Sequence, residues 1–314
     1  MPLKPLVSTL INNYNYGRYL ATAIESALRQ TYENTEVIVV DDGSTDESCD
    51  IIARYGTRVS LIVKRNGGQA SALNAGLAAC RGEVICLLDS DDWWYENKID
   101  VVMDTLAGVQ VGAWAFLRHN LLTLHEWSDR NHSGTADAER LLPGVRGRST
   151  VESIPGCDVL VQRRNAPSSA LCIARDALKR MGPIHEESRF RVSADAFLYT
   201  HLPRHGLVIS IANTLGRYRV HAANAYFSDH ITEEHLQRIA ATEMALLESL
   251  PDTVRYSDTL LRVAHMTSSP ETPHLTALGP LYKRLRRIAG PGWRQAANLR
   301  TLTIALREIL RTVA

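Results

Sequence analysis

Residues Glu83–Trp94 read EVICLLDSDDWW. An uninterrupted apolar run, Val84 to Leu88, ends in three carboxylates, Asp89, Asp91 and Asp92. Such a run, bounded by Gly82 and an acidic turn, fits a strand buried on both faces, as in a parallel sheet. Side chains alternate along an extended backbone, so Asp89 and Asp91 emerge on one side of it. Carboxylates placed together repel unless a cation lies between them, and hard oxygen donors suit Mg²⁺ or Mn²⁺. The same residues equally fit a polar turn in which Asp92 caps the next helix.

Working outward, apolar runs alternate with helical patterns. Leu6–Asn13 (LVSTLINN) reads as a first strand, followed by the turn residues Tyr14 to Gly17. Tyr19–Gln30 has helical spacing, with Leu20, Ile24, Ala27 and Leu28 on one face. Glu36–Val40 is a second buried strand ending in Asp41-Asp42-Gly43-Ser44, and Asp46 is the expected N-cap of a helix anchored by Ile51 and Ile52. Val59–Val63 is a third strand. Asn66-Gly67-Gly68-Gln69 then turns into the small-residue helix Ala70–Cys80, which stops at Gly82. A helix from Glu96 to Leu106 follows the Asp-rich turn. This alternation implies right-handed crossovers and a mainly parallel sheet flanked by helices. Ligands bind outside the carboxyl ends of such strands, which selects Asn12–Tyr14, Asp41–Asp42, Asn66–Gln69 and Asp89–Asp92. Polar clusters at four successive strand ends favour a site over four unrelated turns.

Beyond Gly112 the rhythm changes. Strands are expected at Ala113–Leu117, Leu121–His125, Val159–Val161, Ser168–Ile173, Leu207–Ile211 and Thr214–His221, and helices at Asp176–Met181 and Ala194–Arg204. Asp129–Ser149 reads as a loop. From Thr232 the chain is helical in character, broken by Pro270, Pro273, Pro280 and Pro291. With 314 residues, 45% of them hydrophobic, one large domain with an appendage is expected. A net charge of +1 provides no field to draw the chain to nucleic acid. Neither a membrane-length apolar run nor a leader-like opening is present, so a cytoplasmic protein is expected. The five scattered cysteines lack CxxC spacing and suit reduced core thiols.

Two segments, NNYNYGRYLATAIESALRQTYENTEVIVVDDGSTDES from Asn12 and NGGQASALNAGLAACRGEVICLLDSDDWW from Asn66, resemble the inverting family 2 glycosyltransferases of GT-A fold. The resemblance is strongest over Val7–Ile99 and continues more loosely through Met181-Gly182-Pro183, Ser193-Ala194-Asp195 and Tyr218-Arg219-Val220-His221. It implies a GT-A domain over 1–235, with its nucleotide-sugar part at 1–110 and its acceptor and catalytic part at 111–235, then a helical region at 236–314. In this likeness Asp42 accepts the imide N–H of the donor base, a role a carboxylate can fill for uracil, thymine or guanine. Tyr14 and Asn12 lie beside the base, and Asn66, Gln69 and Asn74 surround diphosphate and ribose. Leu73 departs from relatives with arginine there. Asp89 meets the ribose, Asp91 binds Mn²⁺ or Mg²⁺ on the diphosphate, and His221 reaches the same metal. Asp195 is the general base, with Ala194 where relatives often carry Glu. The implied donor is a UDP-, dTDP- or GDP-sugar, and the implied acceptor a saccharide or lipid-linked hydroxyl.

The tail, Leu281–Ala314, interleaves eight basic residues with leucines and isoleucines against one acid, Glu308. Basic amphipathic helices of this kind lie on anionic membranes or pack on a catalytic domain or second subunit. A sugar nucleotidyltransferase shares the nucleotide-binding architecture, but no Gly-rich basic loop follows the first strand to hold a triphosphate. The rival from another class is an inactive nucleotide-sugar-binding module in which Asp195 is structural.

Overall fold

A computed structural model describes residues 4–110, 112–125, 150–152, 167–186, 194–221 and 224. All belong to one of two compact units, the one comprising Met1–Ile154 and Arg164–Phe227. In chain order its elements are β1 (Val7–Asn13), α1 (Gly17–Leu28), β2 (Thr35–Asp41), α2 (Ser48–Ala53), β3 (Ser60–Val63), α3 (Gln69–Ala79) and β4 (Val84–Asp89). These are followed by β5 (Trp93–Trp94), α4 (Lys98–Leu106), β6 (Trp114–His125), β7 (Thr150–Glu152), β8 (Leu171–Ala174), α5 (Arg175–Met181), α6 (Ala194–His201) and β9 (Leu207–Val220).

The strands form one sheet in the order β3-β2-β1-β4-β8-β6-β9-β5, with β7 pairing β9. The first four run parallel, as the strand–helix alternation requires. Beyond β4 the sheet is mixed: β8 is antiparallel to both β4 and β6, while β6 and β9 run parallel. Val84 to Leu88 are all buried, so the opening stretch is a central strand covered on both faces.

Helix α1 buries Leu20, Ala23, Ile24 and Ala27, a stripe at helical spacing. Small residues let α3 lie close on the sheet: a Cβ on Gly76 would stand 2.2 Å from Leu10 Cδ1 and 2.9 Å from Val40 Cγ2. Gly82, just before β4, is tighter against backbone, since a Cβ there would be 2.5 Å from the Ser8 nitrogen and 2.7 Å from the Leu6 oxygen. Beneath the site, Lys98 is fully buried with its Nζ 3.2 Å from the Trp94 ring centroid. Cation–π attraction partly replaces its lost hydration. Burial and the nearby Lys98 charge push His119 down to about 3, so this imidazole is neutral. Cys80, Cys86 and Cys172 are buried free thiols and Cys49 a half-buried one; Cys157 lies outside the described residues.

Several expectations change. The two strands expected within 113–125 are one strand, β6, and those within 207–221 are one strand, β9, despite polar residues midway. The register of this pair shifts repeatedly between Trp114 and Leu122, so irregular pairing accommodates residues that break the alternation. Ser168–Ala170 is a 3₁₀ turn ahead of β8 rather than strand. The N-cap position of α2 is Glu47 rather than Asp46, whose carboxylate accepts the backbone N–H of Ser48, the helix's first residue (3.1 Å), and of Gly17 (2.9 Å). Asp92 does not cap α4, which starts at Lys98 after Asn97. The expected strand Val159–Val161, the loop Asp129–Ser149 and the tail lie outside the described residues.

Overpacking against backbone costs about 1–3 kcal/mol. Gly82→Ala should therefore lower unfolding free energy in urea by that amount, while Gly108→Ala, whose Cβ meets nothing within 4 Å, should not lower it. Equal stability of the two variants would contradict the close approach.

Candidate active site

Register assembles the cluster at the carboxyl ends of β1, β2 and β4. Asn12 lies opposite Asp89, Asn13 opposite Asp41, and Asp41 opposite Val63. Asn13 Nδ2 donates to Asp41 Oδ2 (2.8 Å) and the Ser44 N–H to Asp41 Oδ1 (2.8 Å), so the first carboxylate of the pair holds its own turn. The second, Asp42, turns toward residues 64–68. It accepts from Lys64 Nζ at 2.7 Å, the Gly67 N–H at 2.9 Å and the Gly68 N–H at 2.6 Å. Tyr14 stands 47% exposed in the β1–α1 turn, and Asn66 is half-buried in the β3–α3 turn.

Asp92 is the anchor of the acidic turn. Its Oδ2 accepts Ser169 Oγ–H (2.6 Å) and its Oδ1 the Arg219 N–H (2.9 Å), which ties the end of β4 to the turn before β8 and to β9. Ser169 Oγ also accepts the Asp89 N–H (3.0 Å), and its carbonyl accepts Trp94 Nε1–H (2.8 Å). With Asp92 so held, Asp91 faces elsewhere: its Oδ2 lies 3.1 Å from His221 Nε2 and accepts Asn224 Nδ2–H at 3.2 Å. The His221 ring packs on Tyr19 (centroids 4.7 Å apart) and edge-on against Tyr16 (5.4 Å). Arg219 donates Nε–H to the Asp91 carbonyl (2.8 Å), its guanidinium between the rings of Tyr19 (4.6 Å) and Trp93 (4.7 Å).

Charge is crowded here. Burial first, then Asp91 and Asp195, push Asp89 up to about 8, against hydrogen bonds from Asn12 and Ser168. Burial, Asp91 and Asp89 raise Asp92 well above the carboxylate range. Tyr16 and Tyr218 rise too, through burial and the same carboxylates. Asp195, half-buried in the first turn of α6, thus acts electrostatically on Asp89 from an element far away in sequence. Gln69 at the start of α3 helps to locate it, because Gln69 Oε1 accepts the Ala194 N–H (2.9 Å).

Asp89, Asp91, Asp195 and His221 are drawn into these contacts, and Asn12 joins through Asp89; Asp42 makes its own with Lys64, Gly67 and Gly68. Asn74 lies lower on α3 with its amide engaged at both ends: Nδ2–H donates to the Ile184 carbonyl (2.7 Å) and Oδ1 accepts the Ile184 N–H (2.9 Å). Lys64, Tyr16, Tyr19 and Asn224 have no role in the sequence reading, and Ser169 enters it only as the end of Arg163–Ser169, a stretch before a strand expected to border the acceptor cleft. Only the Ser168-Ser169 pair before an apolar strand and the aromatic spacing Tyr14-Tyr16-Tyr19 offered a signal, and neither names a partner.

For a divalent ion, the donor set is Asp91 with His221, and Asp89 Oδ1 has no hydrogen-bond partner among the described residues. Among those residues no group of three or more His, Cys, Asp or Glu gathers as a metal cage. This fits an ion that takes one or two protein ligands and completes its shell with water and substrate phosphates.

The family model for glycosyl transferase family 2 matches residues 8–143. An uncharacterized glycosyltransferase of Nostoc sp. is 32% identical over 248 residues, covering 76% of this chain and 72% of the relative. Among solved structures, Staphylococcus aureus TarS 1-349 in complex with UDP aligns with a TM-score of 0.59 at 15% identity, over 98% of this chain and 88% of that one. The mannosyltransferase PcManGT of Pyrobaculum calidifontis, in complex with GDP-Man and Mn²⁺, gives 0.50 at 15% identity, over 99% and 76%. The fold is therefore of the GT-A type.

Removing the Ser169 hydroxyl leaves a buried carboxylate oxygen and the Asp89 N–H without their shared partner, a loss of about 1–3 kcal/mol. Ser169→Ala should show that loss in urea unfolding, and an unchanged midpoint and slope would mean that the turn is held some other way.

Proposed function

The chain is a family 2 glycosyltransferase, and from that premise we propose that it moves a sugar from a nucleoside-diphosphate-sugar to a hydroxyl acceptor in one inverting displacement. The observation that carries this reading is the convergence of Asp89, Asp91 and His221 with the charge of Asp195, from β4, β9 and α6. Asp42 takes the imide N–H of the base, with Tyr14 across the base plane and Asn66 toward the diphosphate. Asp89 meets the ribose, with Asn12 opposite it in the sheet and below the base. Gln69 and Asn74 contribute by holding α6 and residues 184–186 in position.

Asp91 and His221 would hold Mn²⁺ or Mg²⁺, whose charge stabilises a departing diphosphate. Asp195 accepts the proton of the acceptor hydroxyl as that oxygen attacks the sugar carbon opposite the leaving group. A carboxylate suits this task because it is free base near neutral pH. His221 is fixed against Tyr19 and Tyr16, so the Asp91 side keeps its geometry while donor enters. The acceptor we favour is a saccharide or lipid-linked hydroxyl. Support for a membrane approach is confined to the basic, leucine-rich sequence of 281–314; among the described residues no helix is long and apolar enough to cross a membrane.

Losing a general base typically lowers turnover by about 10² to 10⁴-fold. Asp195→Asn should show such a loss in nucleoside diphosphate release with donor affinity nearly unchanged, and near-wild-type turnover would place the base elsewhere.

Metal dependence is read separately. Calorimetric titration with UDP, dTDP and GDP should show affinity that falls when EDTA is added and that is weak in Asp91→Ala under either condition. Equal affinity throughout would remove the cation from the reading.

A further inference from the structure

Just past β9, a single amide joins three parts of the site. Asn224 is 9% exposed, and both ends of its side chain are engaged. Oδ1 accepts the His221 N–H (2.5 Å), while Nδ2 donates to Asp91 Oδ2 (3.2 Å) and to the Arg219 carbonyl (3.2 Å). A backbone N–H only donates and a backbone carbonyl only accepts, so His221 and Arg219 between them fix which way the amide faces. Its nitrogen must then point at the Asp91 carboxylate.

The contacts close on themselves. Arg219 Nε–H donates to the Asp91 carbonyl (2.8 Å), and the Arg219 carbonyl receives the same amide that holds the Asp91 side chain. Asp91 is thus tied to the end of β9 through its backbone and its carboxylate together, across 133 positions of sequence.

The turn after β9 needs only part of this. The Asn224 N–H donates to the His221 carbonyl (3.1 Å) and Oδ1 accepts the His221 N–H, which together bring the chain back on itself. Neither contact uses Nδ2. Its hydrogens go to β9 and to Asp91 Oδ2, the oxygen that His221 Nε2 also approaches at 3.1 Å. A ring nitrogen serves a carboxylate as an N–H donor or a cation through its lone pair, not both at once. With the His221 lone pair on a cation, the amide is the hold on that oxygen that remains among the described residues.

We propose that Asn224 is a positioning residue for the divalent cation: through Nδ2 it keeps the Asp91 carboxylate in place while His221 ligates, and so sets how much the cation strengthens nucleotide binding. This rests on the reading that Asp91 and His221 hold the cation.

The test is calorimetric titration of the full chain with UDP, dTDP and GDP, each in Mn²⁺ and again in EDTA, with a melting curve on every sample. Wild type is compared with Asn224→Ser, Asn224→Ala and Asp91→Ala. Asn224→Ser keeps a side-chain oxygen for the turn but brings no amide to Asp91, and Asn224→Ala removes both. Wild type should bind more tightly in Mn²⁺ than in EDTA. Groups that orient a metal ligand typically cost about 10–100-fold in metal affinity when removed, so that gain should shrink about tenfold in both Asn224 variants, with affinity in EDTA within about threefold of wild type. A gain as large in Asn224→Ser as in wild type would overturn the proposal, because the turn alone would account for the residue. So would equal losses in Mn²⁺ and in EDTA, or failure of both variants to melt cooperatively, since either outcome assigns Asn224 to the fold. Asp91→Ala reports on the underlying reading, and its gain should vanish. If wild type shows no gain, or Asp91→Ala keeps it, Asp91 does not hold the cation, and the failure lies there rather than with Asn224.

Discussion

The hydrogen bonds of the Asp92 carboxylate are the constraint from which the site follows. One oxygen takes a serine hydroxyl from the turn before β8 and the other takes a backbone N–H from β9. These two contacts bind the parallel half of the sheet to its mixed half at the place where the carboxylates crowd. They also divide the labour within the acidic turn. Asp92, satisfied and buried, sets the backbone, and Asp91 is thereby free to meet His221 and Asn224. Burial first, and then the closeness of the three carboxylates, raises Asp89 and Asp92, a cost the fold carries in exchange for a place where positive charge is welcome.

Much of this was legible in the sequence where local pattern and global topology agree. The apolar run of β4, the alternation of strands and helices, and the rule that ligands gather at carboxyl ends were enough to select Asp42, Asp89 and Asp91. The second half was less legible because its pairing is long-range. Strands β6 and β9 were each divided in two at polar residues, yet each is continuous because its neighbour supplies the ladder. The two-residue β5 has no pattern of its own; Trp93 and Trp94 are extended because Arg217 and Gly216 pair with them.

Polar residues at strand ends carry two kinds of duty that sequence does not separate. Asp41 and Asp42 are adjacent, but one closes a turn with Asn13 and Ser44 while the other gathers Lys64, Gly67 and Gly68. Asp92 reads as a helix cap and is instead a tie between sheet halves. Asn74 sits within a ligand-like motif and clamps residues 184–186. In each case the partner is distant in the chain, and a lone carboxylate or amide carries no mark of which donor will find it.

The distance between Asp92 and its partners also bears on how the chain is made. Ser169 follows Asp92 by 77 residues and Arg219 by 127. At about 5–20 residues per second of synthesis, the second partner leaves the ribosome roughly 6–25 s after the aspartate. The four parallel strands have all been synthesised before then. The acidic turn at their end still lacks its second partner, and until β9 emerges its carboxylates must stay in water. The residues of the first four strands are therefore made well before Arg219, and the tie through Asp92 can close only once β9 has emerged.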